Sequence, residues 1–187
     1  MGIKINIFYL DHDTLLCAQY HVDKHVVKMI LEHSQILSTA HRVLDGTQGV
    51  RESKTGRKQK YWRLDSNLDS VIYQATHINH PSTVWARSSL ENYKWLHILT
   101  MELCKEYTYR YGKVHKCQSS GLLDALYDAP KNIPMGPFTQ PTPAMPDEYK
   151  VAGDSVQSYR NYYNGSKQRM FVWKNRDIPF WVMQNAN

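Results

Sequence analysis

The sequence predicts a mainly α fold: a compact single-domain helical chain with a short extended N-terminal segment and a proline-rich irregular loop. Three observations carry this reading. Two long stretches, 23–44 and 89–111, repeat apolar residues at helical spacing. Only residues 3–10 (IKINIFYL) have the apolar, β-branched character of a strand or extended arm. Six of the eight prolines fall between Pro130 and Pro146, which bars helix there.

After the N-terminal run, Asp11-His12-Asp13 offers caps for a short helix near 14–20. The first long helix is expected from Asp23 to Leu44, stopped by Gly46. Residues 45–63 are polar and basic, carry Gly46, Gly49 and Gly56, and read as a loop. A second helix is expected over 67–78, ended by Pro81. In the third, Ser88-Ser89-Leu90-Glu91 matches a capping box with Ser88 as N-cap. Leu96, Leu99 and Leu103 then lie at core spacing, and Gly112 is the stop. A short helix follows near 120–127. Asp154 is placed to cap a helix over 155–164 ended by Gly165, and Ser166 to begin another reaching Trp173. The 187 residues suit one domain: a core over 1–128, a proline-rich strap over 129–150 and a helical segment over 151–187.

Lys and Arg number 23 against 17 Asp and Glu, so the formal charge is +6, which favours anionic partners. The surplus is concentrated. Between Arg51 and Arg63 six basic residues face one acidic residue, Glu52. Thirteen Tyr and five Trp outnumber four Phe, so many rings carry a polar handle suited to a wet cleft. Cys17, Cys104 and Cys117 lack zinc spacing and suit buried thiols in a reducing compartment. With no signal peptide and no apolar run near 18 residues, a cytoplasmic protein without membrane contact is expected. P-loop, dinucleotide-fingerprint and GxSxG motifs are absent from the sequence, which disfavours the corresponding kinases, dehydrogenases and hydrolases.

The strongest candidate site is a polar row: His21, His25, Lys28, Glu32 and Gln35 recur at helical spacing, opposite Val22, Val26, Met29, Ile30 and Ile36. Read as a site, Asp23 or Glu32 is the acid/base, and Lys24, His25 and Lys28 hold an anion. Read as surface, the row is a solvated face with a Lys28–Glu32 pair. A metal on His21 and His25 lacks an obvious third ligand, so no metal and no cofactor are expected. Asn79-His80-Pro81, with Trp85 and Arg87 after it, forms an inter-helix corner that either presents ligand groups or caps backbone. Arg110, Lys113, His115 and Lys116 offer a phosphate grip at the end of the third helix, where positive charge also suits the helix terminus. Arg57, Lys58, Lys60, Trp62 and Arg63 interleave charge with rings, as nucleic-acid contacts do: charge for the backbone, rings for exposed bases. Residues 144–150 (AMPDEYK) read as a lid or a structural strap.

The blocks DKHVVKMILEHSQIL, NHPSTVWARSSLENYKWL, CKEYTYRYGKVHK, AMPDEYK and SYRNYYNGSKQRMFVWKNRDIPFW resemble an uncharacterised family common in phage genomes. The first two also resemble, more distantly, the pyrimidine-dimer DNA glycosylases of the endonuclease V type, mainly over residues 3–112. That resemblance implies an all-α fold and N-glycosidic bond cleavage in damaged DNA. It implies that the α-amine of the processed N-terminal residue attacks the sugar, supported by a glutamate on the first long helix. Here the amine would be Gly2 after removal of Met1, and an α-amine, with a pKa near 8, is partly neutral at physiological pH. The place matching the family's glutamate holds Val22 or Asp23, and the N-terminus is about two residues longer than the pattern. Asp23, the nearest carboxylate, is therefore the expected acid/base. The competing expectation is a phage protein that binds a nucleotide or nucleotide-derived signal without cutting it.

Overall fold

A computed structural model of the chain describes residues 5–53 and 55–183. Helices dominate, with one small two-stranded sheet. Two helices make the frame: α2 (Asp23–Asp45) and α5 (Leu90–Tyr111) pack on one another, α1 (Thr14–Tyr20) lies against α5, and α4 (Pro81–Ala86) lies against α2. One apolar cluster joins Ile5, Ile7 and Leu10 of the N-terminal segment to Met29, Ile30 and Leu37 of α2 and Leu96, Leu99 and Leu103 of α5. Each fully buried aliphatic side chain contributes about 1.5–3 kcal/mol.

Several boundaries follow local chemistry. Asp13 caps α1 by accepting from Leu16 N, and Asp154 caps α8 (Ser155–Ser166) by accepting from Gln157 N. Gly112 closes α5 at φ +64°, the left-handed conformation that glycine adopts without strain. Residues 5–10 form a buried arm outside any helix or strand pairing.

Other expectations are corrected. Residues 45–63 are not a loop: β1 (Thr47–Glu52) and β2 (Lys58–Arg63) pair antiparallel from Thr47↔Arg63 to Glu52↔Lys58. The expected helix over 67–78 shrinks to α3 (Leu68–Val71), and Pro81 starts α4 rather than ending a helix. Proline's fixed φ and missing N–H suit the first helical turn. Ser89, not Ser88, is the N-cap of α5. Its hydroxyl is used elsewhere, donating to the Gly136 and Pro137 carbonyls of the proline-rich segment. Glu91 pairs with Lys94 instead of reaching back. The helix expected near 120–127 is the single turn α7 (Leu122–Ala125), and another short turn, α6 (Lys116–Ser119), precedes it. Gly165 lies inside α8 instead of ending it, and the Tyr149 ring occupies the space a Cβ there would need. Beyond it only a 3-10 turn forms, Gln168–Met170, instead of a helix to Trp173. Among the described residues, no helix is long and apolar enough to cross a membrane.

Candidate active site

The polar row divides when folded. His21 is not on α2; it is the C-cap of α1, fully buried, with Nδ1 2.7 Å from the Cys17 carbonyl. His25 is buried at 5% exposure, bonded through Nδ1 to the Tyr163 hydroxyl (2.6 Å) and stacked on Phe8 at 4.2 Å. Lys24 and Lys28 face solvent. Burial pushes the imidazole of His21 down to about 4 and that of His25 well below its ordinary value. Both are neutral residents of the interior, which is a poor setting for an anion. Among the described residues no group of three His, Cys, Asp or Glu side chains is placed to hold a metal.

Asp23 and Arg110 do meet, but in a saturated network. Arg110 is fully buried and donates to Glu106 Oε1 (2.7 Å), Asp23 Oδ1 (2.8 Å), the His21 carbonyl (2.9 Å) and the Gln19 carbonyl (2.9 Å). Asp23 Oδ1 also accepts from Lys174 N (3.0 Å). Glu106 is clamped from its other side by Arg176 through both carboxylate oxygens. The network ties α1, α2, α5 and the C-terminal segment together at one end of the molecule.

Glu32 stands apart. Its side chain is 2% exposed, and Oε2 accepts from Asn6 N (3.0 Å) on the N-terminal arm. Lys28 Nζ, half-exposed, approaches Oε1 at 2.8 Å without the direction of a well-formed hydrogen bond. Burial raises the Glu32 pKa, opposed first by Lys28, then by the Asn6 N–H and the charge of His77. A carboxyl whose proton affinity burial raises, beside a solvent-facing ammonium, is suited to give and take a proton. Asn6 completes the arrangement: its amide nitrogen donates to the Ala144 carbonyl, and its Oδ1 accepts from Ile7 N and Phe8 N. This locks the arm, where Phe8 takes a positive φ of 55°. The site is thus built from the arm, the middle of α2 and the end of the proline-rich segment.

The remaining expected residues scatter. Gly2 lies outside the described residues. His80 caps α4, its Nδ1 accepting from Ser82 N, and Asn79 is exposed beside it. Trp85 is buried and donates to the Thr139 carbonyl, and Arg87 donates to the Ile78 carbonyl. His115 caps α6 by accepting from Cys117 N, while Lys113 and Lys116 are exposed. Arg57, Lys58, Lys60 and Arg63 are exposed on the hairpin, whereas Trp62 is buried at its root.

Sequence reasoning missed Asn6, Tyr163 and Phe8. Asn6 had a signal, as the polar residue flanked by Ile5 and Ile7 in an apolar run. Cys17 and Cys104 are inert candidates for nucleophiles, because burial raises both thiols to about 12. Glu32 lines neither of two surface grooves among the described residues, one of about 420 Å³ beside Thr142 and Asp154 and one of about 500 Å³ beside His97 and Tyr127. No family model, curated protein or solved structure matches the chain.

Proposed function

We propose that the protein is a mainly α, single-domain phage enzyme of the DNA glycosylase/AP-lyase kind, acting in the host cytoplasm on damaged or modified pyrimidines. The Gly2 amine, freed by removal of Met1, attacks C1′ of the target nucleotide. The C1′–base bond breaks and the departing base takes a proton; the C1′–O4′ bond then opens, O4′ takes a proton, and the ring-opened sugar is left joined to the amine nitrogen as a Schiff base. Glu32 serves as the helix-borne carboxylate that supplies and recovers protons, and Lys28 meets the adjoining phosphate.

One observation carries this reading: the hydrogen bond from Asn6 N to Glu32 Oε2 fixes the N-terminal arm against a buried carboxyl whose pKa burial raises. Chain reach of about 3.5 Å per residue keeps Gly2 within about 14 Å of Asn6. Glu32 replaces Asp23 in the role because Asp23 is committed to Arg110 and Lys174 N. The test is borohydride reduction during incubation with lesion-bearing duplexes. A DNA–protein adduct mapped to the N-terminal peptide is expected; its absence from every lesion, with a free native N-terminus, sinks the reading.

A second reading is a non-catalytic binder of a nucleotide or nucleotide-derived signal. It is favoured by the groove of about 420 Å³ beside Thr142 and Asp154, which has the size of a small-molecule site. Thermal melting against a panel of nucleotides separates the two. A large shift with a small nucleotide and no adduct on DNA supports the binder.

A further inference from the structure

Beyond its root at Trp62, the β1–β2 hairpin adds little to the core. Its strands run about 20 Å at 3.4 Å per residue. Of its twelve strand residues only Trp62 is buried. The register puts Arg51, Tyr61 and Arg63 on one face and Val50, Lys58 and Lys60 on the other. Among the described residues of 47–63, Arg51, Arg57, Lys58, Lys60 and Arg63 stand against Glu52. A two-stranded ribbon that is wet on both faces contributes little to a core. Its cations are therefore available to a partner.

The root is rigid. Fully buried Arg42 donates to the Trp62 carbonyl (2.7 Å), Asp69 Oδ1 (2.7 Å), and the Asp69 and Ile72 carbonyls (2.9 and 3.0 Å). Gly46 packs where a Cβ would run into the Arg42 and Arg63 carbonyls. The turn is closed by Ser53 N donating to the Arg57 carbonyl, with Gly56 at φ +76°.

We infer that this hairpin is an arm that enters the major groove of double-stranded DNA and grips the flanking phosphates. The inference rests on the proposed action on DNA and names the form of DNA held. Its rings argue against single strands. Trp62 is buried, and Tyr61 is half-buried with the Arg51 guanidinium 5.5 Å from its ring centre, so neither offers an open stacking platform. The shape argues for the duplex: the major groove of B-DNA, about 12 Å wide, admits a two-stranded ribbon. The deep, narrow major groove of duplex RNA does not. Charge on both faces lets the ribbon meet both walls of the groove.

The experiment is fluorescence anisotropy of the full chain with an undamaged DNA duplex, the matching single strand and an RNA duplex, across a salt series. The arm variant is Arg51→Gln/Arg57→Gln/Lys58→Gln/Lys60→Gln. The control, Lys94→Gln/Lys105→Gln/Lys131→Gln/Lys150→Gln, removes equal charge elsewhere. We expect the DNA duplex to bind tightest. The arm variant should weaken it about tenfold or more and flatten the log–log salt slope by about 2–4, at about 0.9 per lost phosphate contact. The control should stay within about threefold. Equal losses in both variants, or preference for single strands or RNA, overturn the inference. Adduct trapping on lesion DNA is read in parallel. An adduct with no arm effect removes only the arm, duplex binding through the arm without an adduct removes only the enzyme, and failure of both removes both.

Discussion

Two carboxylates on one helix, Asp23 and Glu32, have opposite fates. Asp23 sits in the first turn of α2 and is met by a buried guanidinium and a backbone N–H. Glu32 sits in the middle of the helix and is met by one backbone N–H and a lysine that solvent also reaches. The first is a staple whose charge is matched from inside the protein. The second keeps unspent proton affinity, because burial raises its pKa further than Lys28 lowers it. The lesson is that a carboxylate is available for chemistry when its partners leave it unsatisfied, not when its spacing matches a pattern. Asp23 matched the pattern better and is the less available of the two.

The sharpest way to break this comparison is to neutralise each carboxylate. Glu32→Gln should slow adduct formation by about 10²–10⁴, the range for losing a general acid or base, with little change in urea midpoint. Asp23→Asn should leave the single-turnover rate of the remaining folded protein within about tenfold. If the two effects are reversed, Asp23 is the acid/base and the assignment here fails.

Next in size is the staple itself. Arg110→Met leaves Asp23 and Glu106 without their shared cation, and should cost about 3–5 kcal/mol in denaturant unfolding. A loss below 1 kcal/mol would show that the network is not what holds this end together.

The interior near both carboxylates also predicts a pH response. Burial lowers the pKa of His21 to about 4, that of His33 to about 3, and that of His25 further still. The unfolded chain titrates them near 6.5 and so binds more protons between these limits. Their contribution is complete above pH 6.5 and is lost as pH falls, at up to about 1.4 kcal/mol per unit for each histidine. Glu32, with its raised pKa, contributes in the opposite sense: its part is held at low pH and lost as pH rises through its folded value. Three histidines outweigh one carboxyl, so urea midpoints should drop from pH 7 to 5. His33→Leu should flatten that slope.

The smallest effect separates site from scaffold. Tyr163→Phe removes the partner of His25 Nδ1 and should cost about 1–2 kcal/mol without altering adduct chemistry. A large rate loss instead would place His25 in the reaction.

Much of this fold was legible residue by residue. The frame helices α2 and α5 follow from local periodicity, and Asp13, Asp154 and Gly112 mark ends because caps are local chemistry. The hairpin was not legible. Its strands are polar on both faces and lack the alternation that reveals a half-buried strand, and Arg42, which roots it, comes from a helix twenty residues before Trp62. The polar row was legible as a row but not as a site.

What the sequence determined by itself is the helical frame, the irregular proline-rich segment and the local excess of positive charge. Each depends on neighbours within a few residues. What only the tertiary structure decided is which charged groups are spent and which are left. Arg110, expected in a phosphate grip, is buried with Arg42, and among the described residues both are large, fully buried side chains spent on internal partners. Glu32 acquires its character from Asn6, twenty-six positions away, and from the depth at which α2 holds it. Burial and pairing set the energy of a charge, and both come from residues that are distant in the chain.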